Sequence, residues 1–308
     1  MPANLALRSD KGPWSVAAIL SPLKTRFIVN LHSRGGATRI AAVKEFAQTR
    51  GAEVRTTKHT GHAFMLAGEA IAEGCELVVA VGGDGTMNEV ATALVATPAI
   101  LGLIPAGSGD GLGRHLGLHG SVRHALHVIG HGRIQLIDTG IADGHAFFCA
   151  AGLGFEAEIA QRFNQLRRRG FLRYLLTSAQ TLRSWRALEY RISSGDFQTT
   201  RRAFTLVVAN ACQYGNNARI APRAQVNDGE LDLSVVPPLT AWNAVPLATR
   251  LFSGSIDSAR NMICRRTTHV VVERAEPGLL HTDGEVHQAG TRVEFSIRPA
   301  SLRVLTPA

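Results

Sequence analysis

The residues that could do chemistry in this chain sit in four short acidic segments, each containing glycine. The sharpest is Gly82-Gly83-Asp84-Gly85-Thr86, continued by Met87-Asn88-Glu89, where the apolar run Leu77–Val81 gives way to a helical pattern. Glycines at such a turn let backbone N–H groups approach a phosphate, and the helix N-terminus adds partial positive charge. Asp84 offers a carboxylate for Mg2+ or for activating a hydroxyl, and Thr86 is a natural cap. The plain alternative, a tight strand-to-helix turn capped by Thr86, gives no reason for an acid between glycines. The loop does not read as Gly-x-Gly-x-x-Gly, and no Gly-Lys-Ser/Thr follows it, so it is neither a dinucleotide fingerprint nor a P-loop. The second segment is Pro105-Ala106-Gly107-Ser108-Gly109-Asp110, and the third is Asn227-Asp228-Gly229-Glu230-Leu231-Asp232. The fourth is Thr282-Asp283-Gly284-Glu285. An Asp-Gly pair alone is a hairpin turn more often than a ligand. Glu285 beside Asp283 adds a second acid, and two carboxylates near one hydroxyl divide the work, one taking the proton and one steering Mg2+.

These segments need elements to hold them. From Arg26 to Ile104 strand and helix alternate: Arg26–Asn30, Glu53–Thr57, Leu77–Val81 and Ile100–Ile104 read as strands. Between them Ile40, Val43, Phe46 and Ala47, then Ala63, Leu66, Ala67, Ala70 and Ile71, then Met87, Val90, Ala91, Leu94 and Val95 recur at helical spacing. Repeated strand–helix units with short glycine connections predict a doubly wound parallel sheet over 23–132. From 133 to 308 short alternating segments take over: Ile134–Ile141, Ala146–Ala150, Leu188–Ile192, Phe204–Asn210, Leu231–Val236, Val270–Glu273 and Val293–Ile297. Turns such as Asp143-Gly144 and Ala289-Gly290 separate them, and helices near Ala157–Ser184 and Ala241–Phe252 interrupt them. The fold class expected is therefore α/β followed by all-β, a nucleotide domain and a β-sandwich, whose last residues could return to the first domain.

Composition narrows the partners. With 45% hydrophobic and 19% charged residues the chain can bury a large core, which argues against global disorder. Residues 1–22 are broken by Arg8, Asp10, Lys11, Pro13 and Pro22 and lack the order of a signal peptide, so they read as a loose leader on a cytoplasmic protein. Cys75, Cys149, Cys212 and Cys264 lie far apart, without zinc spacing, and read as core residues of a reducing compartment. The net charge of +9 points to a polyanion as partner: a nucleotide, an anionic membrane surface or nucleic acid.

Taken together and in order, the motifs resemble the diacylglycerol kinase catalytic domain family of lipid kinases, which includes sphingosine and ceramide kinases and bacterial relatives. The resemblance runs from about Arg26 to Leu305. It implies ATP with Mg2+ as cofactors, bound between the two domains. It assigns the nucleotide to Asn30, Thr57, Gly82, Gly83, Asp84, Gly85, Thr86, Met87, Asn88, Glu89, Gly107 and Ser108. It assigns a structural Mg2+ to Gln225, Asp228 and Glu230, and proton acceptance to Asp283 or Glu285 with Asp84 also catalytic. Leu31 stands where the family has proline after the Asn of the first strand. In the second loop Ser108, Asp110 and Gly111 replace the Thr, Asn and Asp of many bacterial relatives, which leaves the acceptor lipid unassigned.

Lone histidines (His32, His59, His115, His281, His287) read as surface or core residues. Arg162–Arg173 interleaves Arg167, Arg168 and Arg169 with Phe163, Leu166, Phe171, Leu172 and Tyr174. It reads as a solvated helix face, or as a basic amphipathic element touching anionic lipid, with the enzyme peripheral at the inner membrane face. No nucleic-acid module accompanies the arginines, so nucleic acid is not expected, while a homodimer is left open. Two other readings remain: a soluble-substrate kinase resembling NAD kinase, and a catalytically silent lipid-binding regulator on the same fold.

Overall fold

Short apolar runs build the first sheet. In a computed structural model describing residues 23–31, 36–107, 109–164, 171–214 and 217–308, β1 (Thr25–Val29), β2 (Glu53–Thr56), β3 (Leu77–Gly82) and β4 (Ile100–Pro105) pair in parallel in the order β2-β1-β3-β4. Every residue of β3 is buried, as a strand covered on both faces requires. The connecting helices are α1 (Gly36–Thr49), α2 (His62–Ala72) and α3 (Asp84–Leu94). Ala63, Leu66, Ala67 and Ala70 form the buried stripe of α2, Met87, Val90, Ala91 and Leu94 that of α3, and the two helices pack together. After β4 come the short α4 (Gly111–His115) and α5 (Val122–His131). Ser121 caps α5 by accepting the His124 amide at 3.1 Å, and α5 packs on β4 and meets α1.

Beyond α5 the chain is mostly antiparallel. It runs through β5 (Arg133–Ala142), β6 (His145–Phe147), β7 (Ala150–Gly154), α6 (Phe155–Asn164), α7 (Phe171–Ser184), β8 (Leu188–Ser194), β9 (Phe197–Ala203) and β10 (Thr205–Ala209). Then follow β11 (Leu231–Val236), α8 (Ala244–Ser253), β12 (Ile263–Thr267), β13 (His269–Glu273), β14 (Gly278–Thr282), β15 (Glu285–Ala289) and β16 (Arg292–Thr306). One antiparallel sheet has the order β12-β11-β10-β7-β14-β15. The other strands extend the first sheet, because β16 pairs in parallel with β4 and antiparallel with β5 and β13, and β13 leads on to β8 and β9. The architecture is thus a mixed α/β sheet domain joined to an antiparallel sandwich.

The sandwich core is made by both sheets. Tyr190, Ile192, Val270, Val272, Val293 and Phe295 from one meet Leu153, Leu206, Val208, Leu233 and Leu280 from the other. Each fully buried side chain of this size contributes about 1.5–3 kcal/mol of transfer free energy. Removing the Phe295 ring would cost about 3–5 kcal/mol.

Several sequence expectations are refined here. The run Ala146–Ala150 is not one strand but the end of β6, a turn and the start of β7. The Val293–Ile297 strand is one third of the 15-residue β16. Cys75 and Cys149 are buried as expected, but Cys264 is exposed on the edge strand β12. No helix among the described residues is long and apolar enough to cross a membrane.

Candidate functional site

The glycine loop connects β3 to α3, with Gly83 at the helix N-cap and Asp84 in its first turn. The first-turn amides of α3 lack intrahelical acceptors and so face outward for an anion. Asn30, just past β1, donates its Nδ2 to Thr86 Oγ1 at 3.0 Å. The second loop packs directly on the first. A Cβ added to Gly107 would stand 2.9 Å from the Gly83 Cα, so the second loop needs glycine there for backbone contact. Asp84 staples them: its Oδ2 accepts the Asp110 amide at 3.1 Å and its Oδ1 the Gly111 amide at 3.2 Å.

Asp110 is the unusual group of this corner. It is 3% exposed, sits in the left-handed region at φ 56°, and its Oδ1 has no hydrogen bond of good geometry, the Gly113 amide being the donor beside it. Burial, and after it the charge of Asp84, push its carboxyl up to about 7. An ion carried by nucleotide phosphates binds one or two carboxylates besides them. The Asp84–Asp110 pair suits that demand, since a cation would relieve both their repulsion and the poorly satisfied Asp110 oxygen.

The late acids arrive on the β14–β15 hairpin. Asp283 at φ 50° and Gly284 at φ 86° form its two-residue turn, which demands left-handed backbone at both positions. The Asp283 carboxylate is heavily used. Oδ1 accepts the Cys149 and Ala150 amides at 2.9 Å, and Oδ2 accepts the Phe148 amide at 2.7 Å and Asn88 Nδ2 at 3.0 Å. Thr92 Oγ1 donates to Asn88 Oδ1 at 3.3 Å, which turns the Asn88 amino group toward Asp283. Burial raises the Asp283 carboxyl, and those four donors pull it back. Glu285, half-buried two residues on, accepts no hydrogen bond among the described residues. Burial raises its carboxyl, and the charges of Glu89 and Asp283 add to the rise.

Other candidate residues have structural partners. Glu89 accepts the Gly61 amide at 2.8 Å and the Ala63 amide at 2.9 Å, so it caps α2 across the cleft. This holds the segment after Thr57, which is buried and donates its own amide to Val29 O at 2.9 Å. Near the third motif Arg266 pairs with Asp228 Oδ2 and, at 3.2 Å, with Glu230 Oε2. Asp228 Oδ1 accepts the Glu230 amide at 3.1 Å, and Gln225 is exposed. A guanidinium already neutralises these acids, and no cluster of three acidic, His or Cys groups suited to a metal occurs among the described residues. The side chains as placed do not offer an ion its donors. Ser108, His32 and Arg167–Arg169 lie outside the described residues.

Sequence reasoning missed a cluster at the root of the hairpin. Tyr214 OH donates to Glu156 Oε1 at 2.5 Å, and Glu156 Oε2 is 3.4 Å from Nε2 of His281, which is 5% exposed. His287 stacks on His145 at 3.7 Å and shares a 2.7 Å hydrogen bond with Thr282 Oγ1. Burial, then the neighbouring His145 and His281, lower His287 to about 4, so its ring is neutral at pH 7. The available signal was Gly154-Phe155-Glu156, a strand-to-helix turn with an acid, the same grammar as the glycine loop.

Comparison with known proteins agrees with this division. The diacylglycerol kinase catalytic domain model matches residues 24–142, and the YegS C-terminal NAD kinase beta sandwich-like domain model matches residues 149–306. The chain is 30% identical over 292 residues to a "Probable lipid kinase YegS-like" of Pseudomonas aeruginosa (strain UCBPP-PA14), covering 92% of this chain and 95% of that one. A protein of the same description from Xanthomonas euvesicatoria pv. vesicatoria (strain 85-10) is 30% identical over 268 residues, covering 83% of this chain and 86% of that one. The fold is similar to the crystal structure of a diacylglycerol kinase from Bacillus anthracis str. Sterne, with a TM-score of 0.74 at 18% identity, covering 92% of this chain and 96% of that one.

Proposed function

The chain belongs to the diacylglycerol kinase catalytic domain family, in its YegS-like branch, and we propose on that premise that it is an ATP-dependent lipid kinase with Glu285 as proton acceptor. It transfers the γ-phosphoryl group of ATP to a lipid hydroxyl, diacylglycerol-like or sphingoid-like. Residues 23–132 act as a doubly wound nucleotide domain and 133–308 as a sandwich that brings the base, with β16 closing back on the first. The observation that carries this reading is the 3.0 Å contact between Asn88 on the glycine-loop helix and Asp283 on the late hairpin. That contact ties the late hairpin, which carries Glu285, to the glycine-loop helix and supports a role for Glu285 close to the proposed phosphate site.

The two late acids then have separate tasks. Both Asp283 oxygens are committed to four donors, so Asp283 positions the hairpin and is a poor base. Glu285 has free lone pairs and a raised proton affinity. It takes the proton as the acceptor oxygen bonds to the γ-phosphorus and the bond to the ADP oxygen breaks. Amides of Gly83 to Thr86 and the Gly107 loop hold the phosphates in line, with Asn30 and Thr57 at the flank. Asp84 and Asp110 are the carboxylates that would hold a Mg2+ brought by ATP, and the ion would supply neutralisation of phosphate charge. The rest is positioning, which a rigid cradle supplies.

Turnover of ATP with diacylglycerol, a sphingoid base, phosphatidylglycerol and NAD tests the reading. A phosphorylated lipid and no product from NAD is expected, while turnover of NAD alone would establish the soluble-substrate alternative, and none at all the silent regulator. Glu285→Gln should lower kcat about a hundredfold or more with ATP affinity and thermal midpoint kept. A loss below tenfold would remove Glu285 from the chemistry.

A further inference from the structure

At the end of the sandwich away from the nucleotide loops, the edge strand of each sheet is left open: β9 ends one sheet and β12 the other. Between them lies an open groove of about 520 Å3. Phe197, Thr199 and Arg201 line it from β9, being alternate residues of one strand face, and Ile263, Arg265 and Arg266 line it from the β12 side. The Arg265 guanidinium lies 4.1 Å from the centre of the Phe197 ring. Stacking on an aromatic face uses the flat side of a guanidinium and leaves its N–H edges available to a ligand. Arg266 is neutralised by Asp228 and Glu230, but neither Arg201 nor Arg265 has a carboxylate partner among the described residues. Two guanidinium groups without carboxylate partners among the described residues, one held on an aromatic platform, therefore line one open groove.

We propose that this cleft is a second binding site, for a phosphate monoester. Two forked cations match the two charges and three terminal oxygens of a monoester dianion, whereas a diester offers one charge and two such oxygens. Thr199 adds a hydroxyl, and Ile263 with the Phe197 ring gives an apolar wall for whatever the phosphate is attached to. A phosphomonoester is also the group that a lipid kinase makes, so the cleft would sense product; that clause rests on the proposed activity, and the binding itself does not. The competing account is that the arginines only keep two bare sheet edges from pairing with other chains.

The full chain without ATP is titrated with inorganic phosphate by calorimetry, beside a protein carrying Arg201→Ser and Arg265→Ser. Vesicles of phosphatidylcholine are tested alone, with phosphatidic acid (a monoester), and with phosphatidylglycerol (a diester). Phosphate should bind the parent protein, and the double variant should weaken that site about tenfold or more. Phe197→Leu, which keeps both charges, should weaken it less. Circular dichroism should be unchanged, since both arginines are exposed. Turnover of a short-chain soluble acceptor should also be unchanged. Phosphate bound at the glycine loop would survive both substitutions and is thereby told apart. Preferential capture by phosphatidic acid vesicles names a lipid headgroup as the source, and phosphate binding without vesicle capture names a soluble ester. Equal phosphate binding by parent and double variant, or capture by phosphatidic acid and phosphatidylglycerol vesicles to the same level above phosphatidylcholine alone, overturns the proposal and leaves edge protection as the role of the arginines.

Discussion

Asp110→Asn is the perturbation whose outcome follows most directly from the geometry, because it keeps the side-chain shape and deletes only the charge. Asp110 has its carboxyl pushed to about 7 from an ordinary 3.8 by burial and by Asp84. The folded protein therefore holds this proton where the unfolded chain has lost it. The stability tied to the group is complete below about pH 4 and is lost as pH rises through about 7. A displacement of about three pH units, at about 1.4 kcal/mol each, sets a ceiling of about 4 kcal/mol, and relaxation of the loop brings the expected loss to about 2 kcal/mol. Urea unfolding of the nucleotide-free protein between pH 5 and about 8 reads this as a falling midpoint. In Asp110→Asn the slope should flatten and the protein should be the more stable of the two at pH 8. Since Mg2+ would favour the ionised carboxylate, protection by ATP–Mg2+ should grow with pH in the parent and not in the variant. Parallel pH profiles in the two proteins would refute the reasoning, placing the Asp110 proton elsewhere.

The positioning residues give three more outcomes. Asp283→Asn puts an amino group either against the Cys149 and Ala150 amides or against the Phe148 amide and the Asn88 amino group, so urea unfolding should show about 1–3 kcal/mol less stability. Unchanged stability with abolished turnover would make Asp283 the base instead of Glu285. Glu89→Gln can satisfy only one of the two α2 amides, which should raise KM for ATP several-fold with kcat nearly kept. A hundredfold loss of kcat at constant KM would place Glu89 on the reacting atoms. Chelation should leave the thermal midpoint of the nucleotide-free protein unchanged, because Arg266 serves as the cation for Asp228 and Glu230. A fall on adding chelator would show that an ion displaces Arg266 in solution.

Where local pattern carries the information, the sequence reads well. The β-branched run of β3, the stripe of α3 and the intervening glycines identify the phosphate-facing turn without any tertiary knowledge. Five strands escaped for definite reasons. β7 is Ala-Ala-Gly-Leu-Gly, buried on both faces by small residues, so it has neither alternation nor β-branching. β9 and β12 are edge strands rich in Thr and Arg, whose polarity reads as loop. β14 and β15 flank a recognisable Asp-Gly turn, but alternate weakly because histidines, His281 buried and His287 half-buried, stand where apolar residues would. In the site, Asp283 and Glu285 look equivalent as residue types. Only the amides of Phe148–Ala150, about 135 positions away, separate a pinned carboxylate from a free one. Long-range hydrogen bonding of that kind leaves no trace in spacing.

β16 has a mechanical meaning for how the enzyme works. One end of this strand is paired with β13 in the sandwich and the other with the first residues of β4 in the first sheet. Its single irregularity falls between Arg298 and Leu302, where Ala300 takes φ 47° and donates its amide to buried Asp138 at 2.7 Å. The same carboxylate takes the Gly229 amide at 2.8 Å, locking even that kink. Jaws that swing on a linker can open wide for substrates, but jaws carved from one girder cannot. On the proposed reading, the spacing between the phosphate cradle and Glu285 is a property of this folded strand and not of a hinge between the two halves.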